Sequence, residues 1–150
     1  MSGTSKVEGC LVRELVAWEP LTRALSEVLD LTPADIRAFD GEGMKEPRPA
    51  VLVESHVRAS GFRMDLTLYL GSEVQVGLTG VFLARRLAME LGQEILTSPP
   101  VEADGTSYAP DLWMLARPDG SLFLVRQLNP ESDDVEVDLA HMQHLPLPLP

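Results

Sequence analysis

Two groupings of polar residues are spaced to do chemistry. His56 and Asp65 lie on two alternating segments that read as a hairpin, and either a two-residue loop at Ser60-Gly61 or a four-residue loop at Ala59 to Phe62 sets them opposite each other. In that arrangement the imidazole is a candidate general base and the carboxylate its orienting partner. No nucleophile is fixed nearby, so the ordinary reading is a cross-strand ion pair worth roughly a few tenths of a kcal/mol. Asp138, His141 and His144 recur at i, i+3 and i+6, which on a helix would bring neighbours close enough to share a metal ion. They sit beside a Pro-rich end, where solvated polar residues are the usual outcome.

Cys10, the single cysteine, has no His or Asp at a diagnostic spacing and reads as a small buried residue. Gly41-Glu-Gly43 is too short for a dinucleotide loop, and no glycine-rich loop ends in Lys-Ser/Thr, so binding of nucleotide phosphates is not expected. These residues point to no catalytic, cofactor-binding or metal site. The chain is expected not to be an enzyme and to need no cofactor.

The elements that would position these groups form an α+β pattern. The first nine residues are polar and expected to fray. Leu11, Val12, Leu15 and Val16 recur in the manner of a helical turn or two, although so short a segment also fits a strand. From Pro20 to Asp30, Leu21, Ala24, Leu25 and Val28 make an apolar stripe, with Pro20 where a first helical turn tolerates it. Ile36 to Phe39 is a strand or one more turn of helix, and Asp40 to Pro49 is a loop. Val51 to Leu70 then alternates as two half-buried strands; an even loop pairs Val57 with Met64, Ser55 with Leu66 and Val53 with Leu68.

A similar series follows. Leu83, Leu87 and Leu91 predict a helix stopped by Gly92, Glu94 to Thr97 a short strand, and Pro118-Asp119-Gly120-Ser121 a turn between strands Leu112 to Ala116 and Leu122 to Val125. With Asp119-Gly120 as the loop, one face of this hairpin carries Leu112, Met114, Ala116, Phe123 and Val125, and the other Trp113, Leu115, Leu122 and Leu124. Both faces are apolar, so the strands are either covered on both sides or form a contact surface. Leu21-x-Arg23-x-Leu25 and Leu83-x-Arg85-x-Leu87 match position for position, which suggests a duplicated α-β-β-β unit. The expected organisation is one domain over 1–128, then an acidic and Pro-rich tail over 129–150. In that tail Ser132 caps a last helix, or Val135 to Leu139 alternates as a strand; the closing prolines favour polyproline II.

Among 150 residues there are 23 acids and 12 bases, a net charge of -11, with 45% hydrophobic residues. That balance opposes nucleic acid and anionic membrane as partners and favours a protein with a basic surface. No apolar run approaches the ~20 residues of a bilayer span. The start shows no basic region followed by an apolar core, and with one cysteine the expected compartment is the cytoplasm.

Three families resemble this chain. Leu83-Ala-Arg-Arg-Leu-Ala, Glu94-Ile-Leu-Thr and Asp111-Leu-Trp-Met-Leu-Ala-Arg-Pro-Asp-Gly resemble segments of small bacterial immunity-type proteins of polymorphic toxin systems. That resemblance implies a cytosolic inhibitor that binds a toxin domain directly. The element order is similar to class I type III secretion chaperones, which implies binding of an extended effector segment and homodimerisation. The repeated helix and three strands are similar to half of a vicinal oxygen chelate enzyme, although the His and Glu ligands of that family have no counterparts on Leu66 to Leu70 or Phe123 to Gln127. Protein binding by an immunity-type protein is the leading expectation. Trp18, Trp113, Tyr69 and Tyr108 are aromatics of the kind that anchor interfaces. The expected contact surface joins Trp113 to the acids Glu102, Asp104, Asp133, Asp134 and Glu136.

Overall fold

The computed structural model describes residues 6–39, 49–72, 74, 80–99 and 110–145. Its central element is β1 (Lys6–Val12), where the sequence predicts a frayed start and then a helical turn or a strand. Cys10, Leu11 and Val12 are buried in succession, because helices cover one face of this strand and a later segment covers the other. A strand buried on both faces shows a continuous apolar run, and in so short a run that pattern mimics helical spacing. β1 pairs antiparallel along its whole length with β4 (Met64–Leu70), from Lys6↔Leu70 to Val12↔Met64. Its other edge pairs with β5 (Ile95–Thr97) at Leu11↔Leu96 and Val12↔Ile95.

Two helices lie on one face of the sheet. α1 (Trp18–Leu29) buries Leu21, Ala24, Leu25, Val28 and Leu29, the stripe its sequence presents, and ends at Asp30 in the left-handed conformation. α2 (Gly80–Leu91) buries Val81, Leu83, Ala84, Leu87 and Ala88, and Gly92 closes it at φ 66°. Leu25 and Leu87 are each fully buried, which is worth roughly 1.5–3 kcal/mol per side chain. β2 (Ile36–Ala38) runs parallel to β3 (Val51–Val57), and the loop expected over Asp40 to Pro49 lies, except for Pro49, outside the described residues.

The first hairpin has the register its parity predicts: Val57↔Met64, Ser55↔Leu66, Val53↔Leu68 and His56↔Asp65. The four-residue loop is the one formed, closed by the Arg58 amide donating to the Arg63 carbonyl at 2.7 Å. The second hairpin, β6 (Leu112–Ala116) and β7 (Leu122–Leu128), departs from expectation by one residue. Its loop has three residues, with the Arg117 amide bonded to the Ser121 carbonyl at 3.0 Å and Gly120 at φ 89°. A turn at Pro118-Asp119 followed by a left-handed glycine is the usual three-residue solution. Ala116 therefore faces Leu122, and Trp113, Leu115, Phe123 and Val125 share one face while Met114, Ala116, Leu122 and Leu124 share the other.

The sheet order is β2-β3-β4-β1-β5-β6-β7, and the chain beyond residue 128 adds two short strands to β7: β8 (Glu136–Val137) and β9 (Gln143–Leu145). The fold class is α+β. Helix, short strand and hairpin occur twice in order, but β2 is parallel to its neighbour where β5 is antiparallel.

No helix forms around Ser132. Instead the segment from 129 to 137 lies across the sheet face opposite the helices, where Val135 and Val137 join Leu11, Phe62, Leu96, Leu115 and Val125 in a second apolar cluster. Polar bonds hold this strap. The Phe62 amide donates to the Val135 carbonyl at 2.8 Å, Ser60 Oγ to Asp134 Oδ2 at 2.7 Å, and Arg58 to the Asp133 carbonyl. Gly61 bridges to Val135, its φ is 72°, and a Cβ there would run into the Val135 carbonyl. Gly61→Ala is therefore expected to destabilise the fold by roughly 2 kcal/mol or more, from the left-handed backbone and the lost strap contact together. Chemical denaturation measures this, and the loss should exceed that of Ala59→Gly.

Candidate functional site

The structure sets His56 and Asp65 opposite each other but gives each another partner. Asp65 Oδ2 pairs with Arg58 Nη2 at 3.1 Å, and His56 Nε2 lies 3.3 Å from Glu54 Oε2. Glu54 Oε1 accepts a hydrogen bond from the Tyr69 hydroxyl at 2.6 Å, and the Tyr69 ring packs 5.6 Å from that of Phe39. The result is a Tyr69–Glu54–His56 string on the open face of β3 and β4. Alternation alone put these three on one face; their diagonal contact follows from Leu52 facing Tyr69. The Tyr69 hydroxyl chiefly, and His56 to a lesser degree, hold the Glu54 carboxyl below its usual value, with desolvation opposing them. The same bond raises the Tyr69 hydroxyl. The string has a base and an acid but no nucleophile among the groups it bonds, and Asp65 does not orient His56.

Asp138, His141 and His144 are not on a helix. Asp138 Oδ2 meets His141 Nδ1 at 2.8 Å, whereas His144 lies on β9 with its ring 5.2 Å from that of Phe123. Among the described residues no group of three or more His, Cys, Asp or Glu could hold a metal ion. β1 is a strand ahead of α1, and no group of His and Glu able to hold a metal accompanies it among the described residues.

The expected contact residues are dispersed. Trp113 is half-buried, packs against the strap-covered cluster and donates from Nε1 to Gln127 Oε1 at 2.9 Å. Glu136 pairs with Arg13 Nη1 at 2.6 Å, and the Arg13 guanidinium lies 4.9 Å from the Phe62 ring centre. Asp134 accepts from Ser60, and Asp133 offers its carbonyl to Arg58. These tail groups thus serve the internal seating of the strap. Glu102 and Asp104, in the loop singled out for its length and acidity, lie outside the described residues.

An apolar surface that the sequence reading did not single out lies where β1 hands over to α1. Leu15 and Trp18 are 45% and 44% exposed. Leu15, Val16, Ala17, Pro20, Ala24 and Leu91 line a cleft of about 310 Å³, whose polar lining is Arg23, Glu90 and Gln93. The Val16 amide reaches the Met64 sulfur at 3.3 Å, and Met64 pairs with Val57, which is 65% exposed at the end of β3. Arg23 is turned to Glu19 at 3.4 Å. Glu90 has no ion pair among the described residues, and no basic residue occupies the last turn of α2. Leu15 and Val16 fit a helical stripe with Leu11 and Val12, which conceals the exposure of Leu15; Val16 packs partly buried against the core.

No family model, curated protein or solved structure matches this chain. Among the described residues no helix is long and apolar enough to cross a membrane.

Removing the Tyr69 hydroxyl tests the string on β3 and β4. A carboxyl held low in the fold contributes stability above its unfolded pKa, and that contribution is lost as pH falls through the folded value. Tyr69→Phe should raise the Glu54 carboxyl toward its usual value and weaken the dependence of stability on pH across that acid range. Carbon-detected NMR titration of Glu54 reads the first effect directly.

Proposed function

We propose that this chain is a non-catalytic acidic protein-binding protein, an immunity-type protein that neutralises a bacterial toxin domain by direct binding. The observation that carries this reading is the exposed apolar end around Leu15 and Trp18, with Val57 on the adjoining strand end, in a chain of net charge -11. Single exposed apolar residues are ordinary, but a cleft flanked by an exposed tryptophan has the make-up of an interface anchor. Excess negative charge supports the same reading, since it would speed encounter with a basic partner and leave the apolar end to slow dissociation. Asp134 and Glu136 contribute to this reading through the total charge, while their side chains hold the strap.

The test is whether a toxin domain is encoded immediately upstream of the gene and, when co-expressed with this chain, is neutralised. The chain should restore growth and form a stable complex with that domain on size-exclusion chromatography. The double variant L15D/W18D, with an unchanged circular dichroism spectrum, should bind at least about 30-fold more weakly, the loss of roughly 2 kcal/mol typical of an anchor residue. Wild-type affinity in the double variant, or no complex with the native chain, contradicts the reading.

A further inference from the structure

We infer that the cleft beside Leu15 receives a lysine or arginine side chain presented by the protein partner, an assignment that rests on the protein-binding reading above. The stem of such a side chain would lie against Leu15, Val16, Pro20 and Leu91, all of which line the cleft. Its cationic head would meet Glu90. Long basic side chains are built for such a setting, since their methylenes cover apolar surface while the charge stays at a polar rim.

Three observations select a cation. Glu90 lines the cleft and makes no ion pair among the described residues, although the cleft's only basic side chain, Arg23, is bonded to Glu19. The cleft also lies at the C-terminal end of α2, where the helix dipole is negative. A basic side chain in the last turn would stabilise such an end, and α2, like α1, supplies none of its own. Finally, the amides of Gly92 and Gln93 both donate to the Ala88 carbonyl. Among the described residues no backbone donor meets the carbonyls of Met89, Glu90 and Leu91, which leaves acceptors beside a carboxylate. A negative ligand would meet the same carboxylate and the same end of the dipole, so an anion is disfavoured. A purely apolar side chain would leave Glu90 unpaired as it lost water.

The experiment uses the full chain labelled with nitrogen-15 and two probes, acetyl-arginine amide and its uncharged analogue acetyl-norleucine amide. Arginine amide should move the amides of Leu15, Ala17, Leu91 and Gln93 saturably, and E90Q should weaken that response by about three- to fivefold, the scale of a partly exposed ion pair. Norleucine amide should bind the native chain no better than arginine amide binds E90Q. Equal binding of both probes overturns the assignment, as do unsaturated shifts spread over the acidic surface. Shifts of the cleft amides on raising protein concentration alone also overturn it, in favour of a second copy of the chain. A parallel measurement separates this inference from the reading it rests on. If E90Q binds the toxin domain as tightly as the native chain does, the cleft assignment fails and protein binding stands. If arginine amide binds as described but the toxin domain does not, the cation-accepting cleft stands and the toxin-neutralising reading fails.

Discussion

The double pairing of β1 is the constraint from which the rest of the sheet follows. Leu11 lies between Asp65 and Leu96 and Val12 between Met64 and Ile95, so two adjacent residues tie the two hairpin units into a single sheet. Without β1, β4 and β5 would each present an unpaired edge, and the helices would have no common floor. The burial this requires is visible in Cys10. Its thiol is pushed up to about 12, chiefly by burial and then by the nearby Asp65 and Glu8 carboxylates, so at neutral pH it is a small apolar residue and not a nucleophile. Covering β1 on one face demands α1 and α2. Covering Leu11 on the other demands the strap.

The strap also decides how the acidic charge is used. A surplus of carboxylates invites the idea that they wait for a basic partner, yet Asp134 and Glu136 are bonded to Ser60 and Arg13, groups on the loops at the ends of β3 and β1. These bonds are partly exposed and individually worth little; a surface pair contributes about 0–1 kcal/mol. Together with Val135 and Val137 in the second cluster they orient the strap, and Gly61 lets its backbone approach. The charge that remains uncommitted acts at a distance. In the proposed protein-binding role its sum would shape encounter, and the apolar end around Leu15 and Trp18 would supply the short-range contact.

How far the sequence foretold this structure varies from residue to residue for physical reasons. The first hairpin was fully legible because one face is half-wet, and a slip of one residue would have turned Met64, Leu66 and Leu68 into water. The second was not, since both its faces are apolar and parity carries no information there; the extra loop residue came from turn chemistry at Pro118 and Gly120. The helices were legible from their leucine spacing. β1 is ambiguous between helix and strand in the sequence because burial of Cys10 to Val12 on both faces erases alternation. The tail's alternation at Val135 to Leu139 was visible, but nothing local showed that Phe62 and Leu96 would be waiting for it. Trp18 was visible as an aromatic, whereas the cleft beside it arises only when the end of α2 is brought against the start of α1.

The strap covers the cluster around Leu11 and Phe62, whereas Leu15, Trp18 and Val57 leave apolar surface exposed at the end where β1 turns into α1. The most direct test is hydrogen–deuterium exchange of the chain, free and in complex with the toxin domain that the proposed function requires. Protection on binding should concentrate at residues 13–18 and 89–93 and leave the strap at 131–137 unchanged. Protection confined to the strap and to residues 112–115, with the Leu15 and Trp18 region exchanging as in the free chain, would contradict the account.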